Sequence, residues 1–307
     1  MREIHLEERP TSFKQVVGQR EACAQLTALG KSEEGVPHCL LFTGPSGCGK
    51  TTLARIVRRK LKCSDADFAE VNAAESRGIE MVRGIGARAG LAPISGAARV
   101  WLIDECHQLT GDAQGAFLKL LEEPPDHVYF MLATTNPQKL RKAIRTRCTE
   151  IKVRELTVQE IAGLVNRVMG DRTGETLGGD VVGKLADVAD GSARKALVLL
   201  QQIIGLGSDE ARLAALQRAD TEAAAIEIAR AIMGRKGWKT VAGLLRDCDE
   251  EPESIRWMIL AYFTKVALGG GGGAGAAVRI LEEFQDNYFD TKKAGLVMSC
   301  YRACTEG

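Results

Sequence analysis

The stretch Gly44-Pro45-Ser46-Gly47-Cys48-Gly49-Lys50-Thr51-Thr52 fits the pattern G-x-x-x-x-G-K-[ST] at every fixed position. The apolar run Cys39 to Thr43 before it predicts a buried parallel strand, and Leu53 to Val57 after it continues as a helix. In such a loop the backbone N–H groups turn inward around an anion, and the helix directs its positive end at the charge. The stretch therefore predicts a phosphate-binding loop for a nucleoside triphosphate.

The side chains of this loop have separate predicted tasks. Lys50 is expected to reach the β- and γ-phosphates of ATP, and the Thr51 hydroxyl is expected to ligate Mg²⁺. We expect the nucleotide to be contacted by a run of consecutive residues: Gly44, Pro45, Ser46, Gly47, Cys48, Gly49, Lys50, Thr51 and Thr52.

A second buried strand with an acidic end follows roughly 55 residues after the loop. It reads Arg99-Val100-Trp101-Leu102-Ile103-Asp104-Glu105, four apolar residues running into two carboxylates. Asp104 is expected to hold Mg²⁺ through water, and Glu105 is expected to polarise the attacking water. Together with the loop, this strand predicts an ATPase.

Asn136 follows a further apolar strand, Tyr129 to Thr134. In a doubly wound parallel sheet, ligands bind beyond the carboxyl ends of the strands. We therefore expect Lys50, Glu105 and Asn136 to converge on one γ-phosphate as catalytic groups. The alternative is that Asn136 only initiates a turn before Pro137.

Composition excludes several classes of protein. The chain has 307 residues, of which 45% are hydrophobic and 26% charged, close to the globular average. No apolar run reaches the roughly 20 residues that a membrane helix needs, so we expect no membrane partner and a cytoplasmic protein, in the host cytoplasm if phage-encoded. The nine cysteines form no C-x-x-C pair, so we expect reduced and mostly buried thiols.

The pattern of predicted elements divides the chain into three parts. Strands and helices alternate in residues 1–154, which predicts a parallel α/β domain; 155–217 and 218–307 are helical throughout. The second part opens with Thr157-Val158-Gln159-Glu160, which fits a capping box. We expect helical blocks over 221–246, 252–268 and 276–303. Gly269 to Gly273 reads as a flexible loop whose role the sequence leaves open.

Taken together, the motifs resemble those of AAA+ ATPases that serve as subunits of sliding-clamp loaders, over residues 8 to 200. The stretches that carry the resemblance are Arg9-Pro10 to Gly18-Gln19, the phosphate loop, Glu70 to Ala73 with Arg77 to Ile79, Asp104-Glu105, Leu120 to Pro125, Thr134 to Pro137, Thr146-Arg147-Cys148, and Gly191 to Leu197. The resemblance implies an AAA+ α/β domain, a helical lid and an all-α oligomerisation domain.

The resemblance also implies roles for residues outside the loop. Arg147 corresponds to the arginine finger presented to ATP on a neighbouring subunit, and Arg194 to the lid residue that senses the γ-phosphate on its own subunit. Val17 and Gly18 would contact the adenine. The bacterial gamma/tau subunits carry a four-cysteine zinc module after the first helix, whereas this chain has only Cys63 there, so we expect no zinc.

The function implied is that of an ATP-hydrolysing motor that opens a sliding clamp and loads it onto primer-template DNA. Its partners would be other clamp-loader subunits in a pentameric ring, the clamp and the DNA. We expect DNA contacts from Arg77, Arg83 and Lys119, with a merely solvated surface as the alternative. Two other functions stay open: another ring-forming AAA+ DNA motor, such as a branch-migration motor or helicase loader, or a structural subunit that does not hydrolyse ATP.

Asp104-Glu105-Cys106-His107 also spells a DExH helicase box. We set that interpretation aside because such a helicase needs a second RecA-like domain, which the helical remainder does not supply. His107 is interpreted as the start of a helix beyond the strand.

Overall fold

The structure, a computed structural model, describes residues 3–33 and 35–305. The chain divides after residue 205 into two compact units. The first unit contains a sheet with helices on both faces, and the second contains helices alone in its described residues. The division of the first unit into an α/β domain and a lid stays a prediction.

The sheet has five parallel strands in the order β2-β3-β4-β1-β5. The three strands predicted above, over residues 39–43, 99–105 and 129–134, each lie within one residue of their predicted ends, because buried apolar runs between turns are strong strand signals. Their bounds are β1 Cys39–Thr43, β2 Phe68–Asn72, β3 Arg99–Asp104, β4 Val128–Thr134 and β5 Thr149–Lys152.

Nine helices accompany the sheet in the described residues of the first unit. Helices form where the sequence predicts them after the phosphate loop and after the capping box at Thr157. The short helix over residues 4–7 was not expected, because four residues give no measurable periodicity. The bounds are α1 Ile4–Glu7, α2 Arg20–Leu29, α3 Lys50–Lys60, α4 Ile79–Ala89, α5 Gly111–Glu122, α6 Lys142–Arg147, α7 Val158–Thr173, α8 Gly179–Ala189 and α9 Ala193–Ile203.

The two faces of the sheet bury different side chains, because successive residues of a strand point to opposite faces. Leu41 packs with α4, α5 and α6 on one face. Leu40 and Phe42 pack with α2 and α3 on the other. All five residues of β1 are buried. The central strands are therefore covered on both sides, as a parallel sheet requires.

Helices α7, α8 and α9 pack against one another after the last strand. The predicted capping box is confirmed: the Thr157 hydroxyl accepts from the Glu160 N–H at 3.2 Å, and the Glu160 carboxylate accepts from the Thr157 N–H at 2.9 Å. Ser192 caps α9 by accepting from the Lys195 N–H at 3.2 Å. These caps set where the two helices begin beside the phosphate loop.

In the second unit the predicted block 252–268 is one helix, and the other two predicted blocks each contain two helices. Residues 221–246 are divided because Arg235 and Gly237 have positive φ angles of 50° and 79°, which a right-handed helix does not accommodate. Residues 276–303 likewise form two helices. The bounds are α10 Asp209–Met233, α11 Trp238–Arg246, α12 Pro252–Leu268, α13 Ala274–Glu283 and α14 Lys292–Thr305.

Helix α10 also begins earlier than expected, since Ser208 caps it by accepting from the Ala211 N–H at 3.3 Å. Residue 217, the predicted end of the lid, therefore lies inside α10. Within the residues that the structure describes, no helix has the length and apolar character needed to cross a membrane.

The connection from α4 to β3 is anchored by one buried carboxylate. Asp67 accepts backbone N–H bonds from Ile94 at 2.6 Å, Ser95 at 3.1 Å and Gly96 at 3.0 Å, and a hydroxyl bond from Ser64 at 2.7 Å. The Ile94 N–H and the Ser64 hydroxyl, with the other two N–H groups, hold the pKa of Asp67 well below its usual range. The charged form of Asp67 thus stabilises the fold.

Replacing this carboxylate tests its contribution. Asp67→Asn puts an amide donor where backbone donors converge, so we expect the midpoint of thermal unfolding at pH 7 to fall by several degrees. The depressed pKa of Asp67 contributes stability that is lost as the pH falls. The difference in unfolding midpoint between wild type and Asp67→Asn should therefore become smaller below about pH 4. The exposed Asp126→Asn serves as the control; equal midpoints for all three proteins at pH 7 would contradict the assignment.

Candidate active site

The loop between β1 and α3 is bent by glycines with positive φ angles, 144° at Gly44, 74° at Gly47 and 106° at Gly49. A Cβ on Gly44 would lie 2.0 Å from the Val153 carbonyl oxygen, and one on Gly47 would lie 2.1 Å from the Ser192 Oγ. Both dihedral angle and close approach therefore require glycine at these two positions. The first turn of α3 presents N–H groups without intrahelical acceptors, which is an anion site.

Lys50, the first residue of α3, folds its side chain back over this loop. Its Nζ donates to the carbonyl oxygens of Gly44 at 2.8 Å and Pro45 at 2.7 Å. Burial lowers the pKa of the ammonium, while the nearby carboxylates of Glu105 and Asp104 oppose that shift. Two of its three N–H donors are used, so one is left for a ligand.

The carboxyl end of β3 lies directly beside the start of α3. The Thr51 Oγ1 donates to the Asp104 Oδ2 at 3.0 Å, and the Glu105 N–H donates to the Asp104 Oδ1 at 2.9 Å. A hydroxyl and a carboxylate that converge in this way are the hard oxygen ligands that Mg²⁺ prefers. The residues present therefore fit a magnesium ion held by Thr51 and Asp104.

Glu105 adopts a left-handed backbone conformation, with φ 48° and ψ 39°. The Thr135 Oγ1 donates to the Glu105 Oε2 at 3.3 Å, and the His107 Nδ1 lies 3.2 Å from the same oxygen. Sterically costly conformations of non-glycine residues concentrate at functional sites. The carboxylate that the sequence predicts as catalytic is thus held by two side chains for which the sequence predicts no role.

These groups line one cleft in the first unit. Polar residues from the loop and from β3 form one wall, and apolar residues form another. The lining residues are His5, Glu8, Arg9, Pro10, Gln15, Val16, Val17, Ser46, Gly47, Cys48, Gly49, Lys50, Thr51, Thr52, Asp104, Glu105, Leu156, Leu164, Arg167, Ala193, Arg194 and Leu197.

Most of the predicted nucleotide contacts thus face this cleft, and three lie behind its lining. Gly44 and Pro45 reach it through Lys50, which binds their carbonyl oxygens. Gly18, with φ 82°, packs closely against Leu156, which would meet a Cβ there at 2.3 Å. Its neighbour Val17 lines the cleft.

Arg194 lies in the first turn of α9 and lines the cleft opposite the loop. Its backbone N–H donates to the Gly47 carbonyl oxygen at 3.3 Å, which joins α9 to the phosphate loop. Burial lowers the pKa of the nearby Arg9, as do the positive charges of Arg55 and Arg194. The cleft therefore gathers guanidinium groups, which favours an anionic ligand.

Asn136 follows the carboxyl end of β4, which lies between β1 and β3 in the sheet. Its backbone N–H donates to the Thr134 Oγ1 at 3.0 Å. Its side chain is not part of the cleft lining in the described residues. The structure places Asn136 at the predicted edge of the sheet, and its convergence with Lys50 and Glu105 on one phosphate stays a prediction.

Arg147 ends α6 and is exposed. Its Nη2 donates to the Glu122 Oε1 at 2.7 Å, and its Nη1 donates to the Ala143 carbonyl oxygen at 3.2 Å. It is absent from the lining of the cleft among the described residues. Arg147 therefore lies outside this chain's own cleft, and its predicted contact with a neighbouring subunit stays a prediction.

The N-terminal segment forms a wall of the cleft that the sequence did not predict. His5, Glu8 and Arg9 line it, as does Arg167 from α7. Arg172 of α7 clasps this segment: its Nη2 donates to the Glu7 Oε2 at 2.8 Å and to the Glu8 Oε1 at 2.9 Å. These partners are separated by more than 160 residues, and charges so far apart leave no periodic signal in a single sequence.

The three predicted DNA contacts lie on α4, α5 and the approach to α4. Arg77 and Lys119 are exposed. Arg83 is also exposed, and its Nη1 donates to the Glu80 Oε1 at 2.6 Å. Helices α4 and α5 pack against each other, so these residues share one region of the first unit. Nothing in this geometry tests DNA binding, which stays a prediction.

All nine cysteines are free thiols, and Cys63 is buried. No cluster of three or more His, Cys, Asp or Glu side chains that could hold a metal ion occurs among residues 3–33 and 35–305. The expectation that zinc is absent stays a prediction.

Comparison with known proteins finds both sequence relatives and structural neighbours of this chain. Residues 66–157 match the family model described as DNA polymerase III, delta subunit. The chain is 32% identical over 229 residues to DNA polymerase III subunit gamma of Buchnera aphidicola, covering 67% of this chain and 62% of that protein. It is 34% identical over 223 residues to subunit tau of Bacillus subtilis and over 225 residues to subunit tau of Escherichia coli.

Each of the two tau alignments covers 66% of this chain. The same alignments cover 39% of the length of the Bacillus protein and 34% of the length of the Escherichia protein. The chain thus spans less than two thirds of the length of these relatives. Among solved structures, the Thermotoga maritima RuvB Holliday junction branch migration motor has a TM-score of 0.59 at 20% identity, covering 77% of this chain and 84% of that one. That likeness shows the AAA+ fold. The chain is accordingly similar over about two thirds of its length to the gamma and tau subunits of bacterial DNA polymerase III, and it has the AAA+ fold.

Proposed function

We propose that this chain binds and hydrolyses ATP with Mg²⁺ as a motor subunit of a sliding-clamp loader. The observation that carries the proposal is the convergence of Lys50, Thr51, Asp104 and Glu105 on one cleft. The relationship to DNA polymerase III subunits gamma and tau supports a role in replication.

The binding step follows from the phosphate loop. Its N–H groups and Lys50 surround the position where phosphate oxygens would lie, and the third N–H of the Lys50 ammonium, beyond those bound to Gly44 and Pro45, would donate to a phosphate oxygen. The magnesium ion, when bound to Thr51 and Asp104, supplies positive charge that polarises the phosphate oxygens. A charged donor that is already desolvated and oriented stabilises developing negative charge without reorganising.

The chemical step depends on Glu105. A carboxylate at this position accepts a hydrogen bond from water and orients it for in-line attack on the terminal phosphorus. Arg194 faces the same cleft from α9 and would neutralise charge on the terminal phosphate. Asn136, which follows the strand between β1 and β3, would assist from the edge of the sheet.

Completion of the site would require a second subunit. Arg147 lies on the surface with Glu122 as its partner, so it is available to a neighbour once that ion pair opens. Exposed ion pairs of this kind contribute about 0–1 kcal/mol, so opening the pair between Arg147 and Glu122 costs little free energy. We propose that Arg147 contacts ATP in the next subunit of a pentameric ring. The helical residues 218–307 would form the oligomerisation domain, beyond the α/β domain 1–154 and the lid 155–217.

Clamp loading follows if ATP binding locks this ring around an opened clamp and a primer-template junction, and hydrolysis releases both. Arg77 and Lys119 are the exposed cations that we propose for the DNA backbone, with Arg83 once it leaves Glu80. Phosphate contacts by such residues carry affinity and are salt-dependent.

The decisive experiment identifies the copurifying subunits by mass spectrometry and measures the ATPase rate of the assembled complex. We expect a pentameric assembly whose rate rises when clamp and primed DNA are added together. A hexamer whose rate ignores the clamp would indicate another AAA+ DNA motor. A flat rate under every condition would indicate a structural subunit.

The binding and chemical steps separate in two variants. Lys50→Ala removes a desolvated charged donor, so we expect ATP affinity to fall roughly 10- to 100-fold. Glu105→Gln keeps the shape but removes the basic carboxylate, so we expect kcat to fall about 10²- to 10⁴-fold with ATP affinity nearly unchanged. Equilibrium binding of fluorescent ATP and steady-state phosphate release measure the two effects. Normal turnover by Glu105→Gln would contradict the assignment.

Arg147→Ala tests the contact between subunits. A guanidinium supplied by a neighbour is worth about 10³- to 10⁵-fold in rate, so we expect the assembled variant to lose hydrolysis while the isolated chain binds ATP normally. The matched control is Arg145→Ala, which removes a partly buried arginine from the same helix. Mixing Arg147→Ala with Glu105→Gln subunits should restore part of the activity at mixed interfaces; unchanged turnover of the Arg147→Ala ring would refute the role.

A further inference from the structure

His107 is the side chain nearest to Glu105 for which the proposed function has no task. It lies in the 3₁₀ turn Cys106–Gln108 directly after Glu105, and its side chain is 8% exposed. Its Nδ1 lies 3.2 Å from the Glu105 Oε2 and 3.0 Å from the Thr134 Oγ1. The carboxylate and the hydroxyl therefore both meet the ring at Nδ1.

The hydrogen-bond roles in this cluster follow from chemistry. An ionised carboxylate only accepts hydrogen bonds, so a favourable contact at the Glu105 Oε2 requires the proton of neutral His107 to be on Nδ1. The Gln108 Nε2 lies 3.1 Å from the His107 Nε2, where it donates to an unprotonated ring nitrogen. The Glu105 carboxylate and the Gln108 amide therefore both favour the tautomer with a proton on Nδ1, and that N–H would be shared between the Glu105 Oε2 and the Thr134 Oγ1.

Two side chains contact the same oxygen of Glu105. The Thr135 Oγ1 donates to Oε2 at 3.3 Å, and the His107 Nδ1 lies 3.2 Å from Oε2. In the described part of the chain, neither is bonded to Oε1. When Oε2 is held in this way, the carboxylate can no longer rotate freely. Oε1 then keeps its lone pairs available and occupies a restricted position. That is the arrangement required of a base that must orient a water molecule.

The anchor is itself held by the sheet. Thr134 is the last residue of β4 and is fully buried, and its Oγ1 also accepts from the Asn136 N–H at 3.0 Å. A continuous set of polar contacts therefore runs from the backbone of Asn136 through the Thr134 hydroxyl and the His107 ring to the Glu105 carboxylate. The two predicted catalytic residues at the ends of β3 and β4 are connected through a side chain that neither motif includes.

We propose that His107 is a positioning residue that donates from Nδ1 to the Glu105 Oε2 and so aims Oε1 at the attacking water. The proposal rests on the proposed ATP hydrolysis. It assigns His107 no contact with nucleotide and no proton transfer. The contribution is geometric: a general base displaced by about 1 Å loses on the order of 100-fold in rate.

Three substitutions of His107 distinguish positioning from space filling. In His107→Asn the amide nitrogen lies near the place of Nδ1, whereas in His107→Gln it lies near the place of Nε2. We expect His107→Ala and His107→Gln to lower kcat about 10- to 100-fold with KM for ATP nearly unchanged, and His107→Asn to recover most of that loss. His127→Asn is the control, because in the described residues the His127 side chain is hydrogen-bonded only to the Leu91 carbonyl oxygen.

A second set of variants covers the case in which His107 substitutions do not fold. Thr135 is exposed, so its replacement carries little risk to the fold. Thr135→Val removes the other donor to Oε2, and Thr135→Ser keeps it; we expect kcat to fall only in the valine variant. In a Glu105→Gln background, His107→Ala should have no further effect, because residues that act as a unit are not additive.

The tautomer of His107 gives a readout that needs no nucleotide. The chain has four histidines, so ¹⁵N-histidine spectra of the nucleotide-free protein resolve few signals, and His107→Asn assigns the one of interest. We expect the proton on Nδ1 in wild type and a changed ¹⁵N shift in Glu105→Gln. A proton on Nε2 alone, with no response to Glu105→Gln, would overturn the proposal.

The proposed ATP hydrolysis and the positioning role of His107 are contradicted by different results. Full turnover by Glu105→Gln would remove the proposed function and this inference with it. Loss of turnover in Glu105→Gln with equal kcat in all three His107 variants would overturn the inference alone. Equal losses in His107→Asn and His107→Gln would also overturn it, since space filling does not depend on which amide position carries the donor.

Discussion

The candidate site depends on the alignment of three carboxyl ends in one parallel sheet. Strands β1, β4 and β3 are neighbours, so the phosphate loop, the Asn136 turn and the Asp104-Glu105 pair leave the sheet at the same edge. The hydrogen bond from Thr51 to Asp104 joins the first and last of these directly. Strand pairing is collective, and an element that shifted along the sheet would move its functional residue several ångströms.

The rest of the cleft is assembled around that edge by close backbone approach. Gly44 lies against the Val153 carbonyl beyond β5, and Gly47 lies against Ser192 at the start of α9. These contacts bring the α7–α9 helices to the loop that would bind phosphate, and they tolerate no side chain on either glycine. The N-terminal segment completes the enclosure through the Arg172 clasp on Glu7 and Glu8. A ligand in the cleft would therefore contact elements from the whole length of the first unit.

Much of this was predictable from single residues and their spacing. The strands, the capping box at Thr157 and the proximity of Lys50, Asp104 and Glu105 follow from local patterns with known physical causes, and the structure agrees with them. Helix ends in the second unit were less predictable: the break at Arg235 to Gly237 depends on positive φ angles that the preceding periodicity does not report. The start of α10 at Asp209 was likewise hidden, because a serine cap is a weak signal without a strong apolar stripe after it.

The sequence by itself determined the class of fold and the residues at each strand end, because burial on both faces and the phosphate-loop pattern are local properties of the chain. Only the tertiary structure decided which of those residues meet. It placed Arg147 on the surface with Glu122, brought His5, Glu8 and Arg9 into the cleft, and set His107 between Glu105 and Thr134. The physical reason is that such contacts join residues brought together by sheet order and helix packing, and their side-chain directions are fixed only when both partners are folded.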